Sequence, residues 1–226
     1  MTGVSLGMDV AATGVTATAG GMAALAVSPV LAGWTSTLVT NGGTAKWWRP
    51  STVSPARWVT TAVPAVLLGA VAAVLAPPVA WWLLGAGGAV LAVVDARTHR
   101  LPARFVYPFA AAVAAVLGVT AAVTGAWPDL ARSAFAALLV GGAWFGVALL
   151  SPAAVGMGDI RVAALTAALL GWQGWPSVLL GELLASILGV ITAGALLTAR
   201  RRPVAGLRVP MGPALIGAAF LAALLG

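Results

Sequence analysis

Two aspartates, Asp95 in VVDARTHRLP (93–102) and Asp159 in GMGDIR (156–161), stand at the rims of long apolar runs in a chain with only five acidic residues among 226. A carboxylate at membrane depth costs about 2.5–3.5 kcal/mol on insertion scales, so it is generally retained for chemistry or ion handling. Two carboxylates that meet cannot both ionise cheaply, and the pair then holds one proton. The ionised member can take a proton from water while the protonated member polarises a carbonyl. That is the acid–base pattern of peptide hydrolysis without a metal or a covalent intermediate. Gly156 and Gly158 flank Met157 just before Asp159, and glycines there permit φ > 0 or a close approach to another chain. Each aspartate also has a plain reading. Asp159 can cap the helix that follows the loop 152–158, and Asp95 can be an interfacial carboxylate paired with Arg97 or Arg100. Neither motif chooses alone.

The elements that must position these carboxylates follow from composition. Charged residues are 8% of the chain and hydrophobic ones 61%, where ordinary soluble domains carry about 25% charge. No soluble interior holds so many apolar residues, and stretches of roughly 20 of them recur, the length of a membrane-spanning helix. The ten-residue alternating pattern of a barrel is absent. The expected fold is therefore all-α, a polytopic membrane bundle. With no cysteine, disulfides, thiolate metal sites and a cysteine nucleophile are excluded, and His99 alone cannot make a multi-histidine metal site. The net charge of +7 sits in short basic clusters between apolar runs, which argues against nucleic acid as a partner and for the bilayer.

Eight spans are expected, at residues 14–40, 58–76, 79–94, 105–124, 132–150, 158–174, 177–198 and 210–226. The first is Gly- and Thr-rich and interrupted by Pro29; no basic residue precedes Lys46, so it does not read as a signal peptide. Alternating spans put Lys46, Arg49, Arg57, Arg97, Arg100, Arg104, Arg161, Arg200, Arg201, Arg202 and Arg208 on one side and only Arg132 on the other. The basic side is expected to be cytoplasmic, with both termini and Asp9 outside. Trp47, Trp48 and Trp58 would mark the inner interface, and Trp81, Trp82, Trp127, Trp172 and Trp175 the outer, with Trp34 and Trp144 in mid-span. Gly142 and Gly146, at GxxxG spacing, would allow close helix packing. In this topology Asp95 ends the third span and Asp159 begins the sixth. Both lie at the cytoplasmic rim, and they meet only if those two spans pack together.

Taken together, three blocks resemble the type IV prepilin peptidases, a family of GxGD-type membrane aspartyl proteases. DARTHRLP (95–102) is similar to the family's aspartate followed by Ile/Leu-Pro. GMGDIRVAA (156–164) matches glycine-x-glycine-aspartate with a basic residue two positions on. RVPMGPAL (208–215) is like the family's apolar-Pro-x-Gly-Pro opening of the last helix. The resemblance covers roughly residues 58–226, within a single peptidase domain whose first 57 residues match least. It implies that Asp95 and Asp159 are catalytic and that Pro102, Gly156, Gly158, Pro210, Gly212 and Pro213 support them. It also implies a bacterial plasma-membrane enzyme that cuts short basic leaders of prepilin-like proteins at the cytoplasmic face, just before their hydrophobic helix. A basic leader suits an acidic site, while the surrounding arginines suit anionic lipid. The segment 41–57 is short and lacks the cysteines that many members carry there, which excludes a zinc-stabilised insert. No metal and no cofactor are expected, with S-adenosylmethionine relevant only if methyltransferase activity is retained. Ala103 stands where the family often has Asn, and Arg161 where Lys is commoner.

Rival readings use the same residues. Pro213, Ala214 and Leu215 also spell the PAL of presenilin-like proteases, but those place their aspartates on consecutive helices, and here two spans intervene. A proton-coupled transporter could use Asp95, Asp159 and Glu182 as a relay, although the paired internal repeats common in transporters are not found. Glu182 falls about five residues into the seventh span, about 7–8 Å from the outer surface at 1.5 Å per residue, where a carboxylate can reach for water. A scaffold without activity would tolerate degenerate aspartates, and both are intact. His99, four residues after Asp95, could touch it on a continuing helix or sit in an exposed loop.

Overall fold

A computed structural model describes residues 3–41, 52–98, 101–151, 155–200 and 210–226. They form eight helices and no strand: α1 (Gly3–Asn41), α2 (Pro55–Ala72), α3 (Pro78–Thr98), α4 (Ala103–Thr124), α5 (Trp127–Leu150), α6 (Met157–Gln173), α7 (Trp175–Arg200) and α8 (Gly212–Leu225). The eight expected spans thus appear in order. Six helices are long and apolar enough to cross a membrane, namely α1 to α5 and α7. The 17-residue α6 and the 14-residue α8 fall short of the roughly 20 residues that a full crossing takes.

The described residues group into two compact units, Met1–Val90 and Leu91–Gly226. In the first, α1 runs unbroken through Pro29, where an interruption was expected. One proline removes one backbone donor, and neighbouring hydroxyls can re-satisfy carbonyls within an apolar setting. Ser28 Oγ donates to the Leu25 carbonyl at 2.7 Å, Thr35 Oγ1 to Leu31 at 2.9 Å and Thr37 Oγ1 to Gly33 at 3.0 Å. This is how a Thr-rich segment remains compatible with hydrocarbon. The helices α1 and α2 approach closely at glycines, since a Cβ on Gly69 would lie 2.6 Å from Ala24 Cβ and 2.9 Å from the Gly20 oxygen. Trp58 donates its indole N–H to Ser28 Oγ at 3.0 Å. Trp81, in the first turn of α3, is wholly buried, with its indole N–H on the Ala76 carbonyl at 3.3 Å. Trp82 likewise bonds within the unit, to the Gly20 carbonyl. Trp47 and Trp48 lie outside the described residues.

The second unit holds the end of α3 and the helices α4 to α8. Its connections are written in small residues. Gly125 adopts the left-handed conformation at φ 75° and closes α4, a helix end that favours glycine; Trp127 and Pro128 then open α5. Gly174, at φ 152°, separates α6 from α7. Between these turns α6 is buried nearly all round, from Ile160 to Gly171, and packs against α4, α5, α7 and α8. Its contact with α5 is close because glycines face it. A Cβ on Gly171 would meet Ala136 Cβ at 2.7 Å, and one on Gly141 would meet Ala164 Cβ at 3.0 Å. The expected GxxxG pair does not perform this role: a Cβ on Gly142 or Gly146 would meet nothing within 4 Å among the described residues. Spacing marks a stripe of small residues but not which way the helix turns it.

Candidate active site

Asp95 occupies the last turn of α3 and Asp159 the first turn of α6, as the span count expects. Both belong to the Leu91–Gly226 unit, and there they converge, close enough for the Asp95 charge to act on Asp159. The end of α3 and the start of α6 are thus near each other, while α6 packs chiefly on α4, α5, α7 and α8. Asp95 is 4% exposed. Asp159 is half-buried, beside exposed Gly156 and Met157, so the pair is buried on one side and open on the other.

Three stretches of chain close around the two carboxylates. The Gly212 backbone N–H, at the first residue of α8, donates to Asp95 Oδ2 at 2.8 Å in a buried bond. A Cβ on Gly212 would stand 3.0 Å from that same oxygen and 3.1 Å from Asp95 Cβ. Any side chain there would push the carboxylate away from its donor. Gly156 does the same for the other aspartate, since its Cβ would lie 2.9 Å from Asp159 Oδ2. Gly158 makes room for a neighbour instead: its Cβ would lie 2.6 Å from Leu101 Cβ. The three sequence blocks thus touch one another, the first through Asp95 and Leu101, the second through its two glycines and Asp159, the third through Gly212.

These contacts correct one expectation. Gly156 is the N-cap of α6 at φ −79° and ψ 142°, and Gly158 is helical; neither uses positive φ. What both supply is close approach. Asp159 is not the N-cap but the third residue of α6, from which a carboxylate can cap the helix by reaching back to the N-cap backbone. Its carboxylate turns back against the Gly156 backbone. Pro102 is the N-cap of α4, with φ −69° and ψ 117°, so Leu101 and Pro102 fix the start of that helix. Pro213 lies in the first turn of α8 and Pro210 just before it, where a fixed φ suits a helix start. His99 and Arg100 lie outside the described residues.

Two side-chain pairs were not foreseen. Arg161, two residues beyond the GMGD block, donates Nε–H to Tyr107 Oη at 3.1 Å, with its guanidinium 4.9 Å from the ring centroid. The sequence signal is slight: Tyr107 is the only tyrosine in the chain. Glu182 is half-buried on α7. Its Oε2 accepts the indole N–H of the mid-span Trp144 at 2.9 Å, and no hydrogen bond among the described residues links it to the aspartates.

A chain whose described residues are all helical, with six long apolar helices and a GxGD aspartate near enough to a second aspartate to feel its charge, is a multi-pass membrane protein with an acidic site. A family model described as the type IV leader peptidase family matches residues 82–198, more than half of the 226-residue chain. The chain belongs to the type IV leader peptidase family. The matched region contains both aspartate blocks; Gly212 lies beyond it and reaches the site through its contact with Asp95. No curated protein and no solved structure matches the chain.

Proposed function

We propose that this peptidase is an aspartic endopeptidase that removes basic leaders from type IV prepilin-like proteins at the cytoplasmic face of the plasma membrane, with Asp95 and Asp159 as its catalytic pair. The observation that carries the reading is the convergence of the two carboxylates, with the Gly212 N–H fixing Asp95.

The chemistry uses the pair as a unit. Two nearby carboxylates in a partly desolvated site hold one proton between them. The ionised member accepts a proton from a water as that water attacks the scissile carbonyl, and the protonated member hydrogen-bonds the carbonyl oxygen as charge develops there. Transfer of one proton from the pair to the amide nitrogen as the tetrahedral intermediate collapses breaks the C–N bond, frees the new N-terminus and leaves the pair with its single proton. No metal, cofactor or covalent intermediate is required. The open side of the pair, at Gly156 and Met157, gives an extended peptide and a water access to Asp159. A basic leader has favourable electrostatics near the pair, and the distribution of arginines supports a cytoplasmic position for this rim.

Asp95→Asn and Asp159→Asn are each expected to abolish cleavage of a co-expressed prepilin while leaving the membrane level of the enzyme unchanged. Full processing by either variant would sink the assignment. The mass of the mature pilin's N-terminus reports separately on methylation.

A further inference from the structure

On the face of α6 turned away from the aspartate pair lies a groove that the proposed reaction leaves unused. The helices α4, α5 and α6 enclose about 360 Å³ there, within the range of about 300–1,000 Å³ usual for ligand sites. Arg161, Ala164, Leu165 and Ala168 line it from α6, one helical face by their spacings of three and four. Asp159 is on the other face, since two residues turn a helix by about 200°. Along α4 the lining runs from Tyr107 to Leu117, about 15 Å at 1.5 Å per residue. That is half of a hydrocarbon core about 30 Å thick, the depth of one leaflet. The groove is polar at one end only. Away from Tyr107 and Arg161 its walls are Ala, Val and Leu, apart from Ser133, whose hydroxyl donates to the Ala168 carbonyl.

We infer that this groove binds an anionic phospholipid, with the phosphate on Arg161 and one acyl chain lying along the walls of α4, α5 and α6. Tyr107 and Arg161 each stand about 6 Å beyond the first residue of their helix, at 1.5 Å per residue. Those two helix starts are neighbours, because Gly158 leaves room for Leu101, so the pair marks one rim of the membrane. Arg161 donates Nε–H to Tyr107 and rests on its ring; among the described residues no carboxylate pairs with it. A cation at that depth draws an anion or reaches for the headgroups, and a planar guanidinium matches a phosphate. A tyrosine beside it suits the same interfacial level. Charge at one end and hydrocarbon along the rest is the polarity of an amphiphile, and the length is that of one leaflet. A zwitterionic headgroup brings its own cation, so Arg161 selects the lipid of net negative charge.

The test uses the full-length enzyme in phosphatidylcholine vesicles that carry a trace of phosphatidylglycerol with a photo-reactive diazirine on its acyl chain. A phosphatidylcholine bearing the same diazirine is the matched probe. After irradiation, adducts of the anionic probe are expected on the peptides that hold Ala114, Ala137 and Ala164, which line the groove. They should exceed those of the zwitterionic probe by about fivefold, the worth of one basic residue beside an anionic headgroup. Arg161→Gln is expected to bring the two probes level, and Arg161→Lys to keep the preference. Ala137→Trp fills the groove and should remove the adducts, while Ala112→Trp, exposed on α4 outside the lining, leaves them unchanged. Equal labelling of the wild type by both probes, a preference that survives Arg161→Gln, or adducts spread over the exposed helix faces overturns the inference. Loss of the anionic adducts on adding inorganic phosphate would assign Arg161 to a free anion and overturn it as well. No arm reads the cleavage of a prepilin, so the lipid site stands or falls independently of the proposed reaction.

Discussion

Single glycines decide how near the two carboxylates come to their surroundings. Gly212 has its N–H on Asp95 and no room for a Cβ, and Gly156 holds the equivalent place at Asp159. The blocks were readable in sequence as glycine–aspartate neighbours, but the partner of Asp95 was not, because 117 residues separate it from Gly212. Gly212→Ala should lower cleavage by about tenfold or more, equivalent to at least ~1.4 kcal/mol in the barrier, because the methyl displaces Oδ2. Cleavage rates per folded enzyme check this, with thermal unfolding as the control for stability. Wild-type rates in Gly212→Ala would show that the amide contact is incidental. Trp144 and Glu182 teach the complementary lesson. Each had a sensible place by depth alone, and only side-chain direction brought them together.

At the scale of elements, the α5–α6 hairpin is the frame of the site, and Arg132 is its clasp. Its Nε–H donates to the Gly171 carbonyl at 2.6 Å, and its NH2 group donates to the Trp172 carbonyl and to Asp129, both at 2.7 Å. The last carbonyls of α6 have no helical partner of their own, and a cation at a helix C-terminus suits them. This explains the one basic residue that falls on the far side of the expected topology. Arg132→Ala should destabilise the enzyme by about 1–3 kcal/mol, read as a lower thermal midpoint. Cleavage per folded molecule should stay near wild type, because the clasp lies at the opposite end of α6 from Asp159. A large loss of turnover without a loss of stability would contradict the purely structural role. Helix order and approximate limits were legible here from hydropathy, Pro and Gly; the packing face of each helix was not, as the unused Gly142–Gly146 pair shows.

For the whole molecule, the absence of cysteine makes sidedness directly measurable. The reading that places both termini outside and the basic segments inside predicts that a cysteine replacing Ser54 reacts with an impermeant thiol reagent only in inverted vesicles. One replacing Ala126, in the turn between α4 and α5, should react only from the outside of intact cells. The opposite pattern reverses the orientation, and labelling of both from one side breaks the alternation of spans α2 to α4. Either result would move Asp95 and Asp159 from the face at which a leader is presented.

Sequence alone determined the solvent, the secondary structure and the candidate chemistry. A chain with 8% charged residues must lie in lipid, lipid demands that each span satisfy its own backbone as a helix, and so rare a carboxylate is costly enough to stand out. Tertiary structure decided what meets what. The nearness of Asp95 to Asp159, the N–H of Gly212 on Asp95, the Leu101 contact of Gly158 and the Tyr107–Arg161 pair all join residues far apart in the chain. Such contacts depend on the rotation of each helix about its own axis. In a helix apolar on nearly every face, such as α6, periodicity carries no record of that rotation, and packing alone sets it.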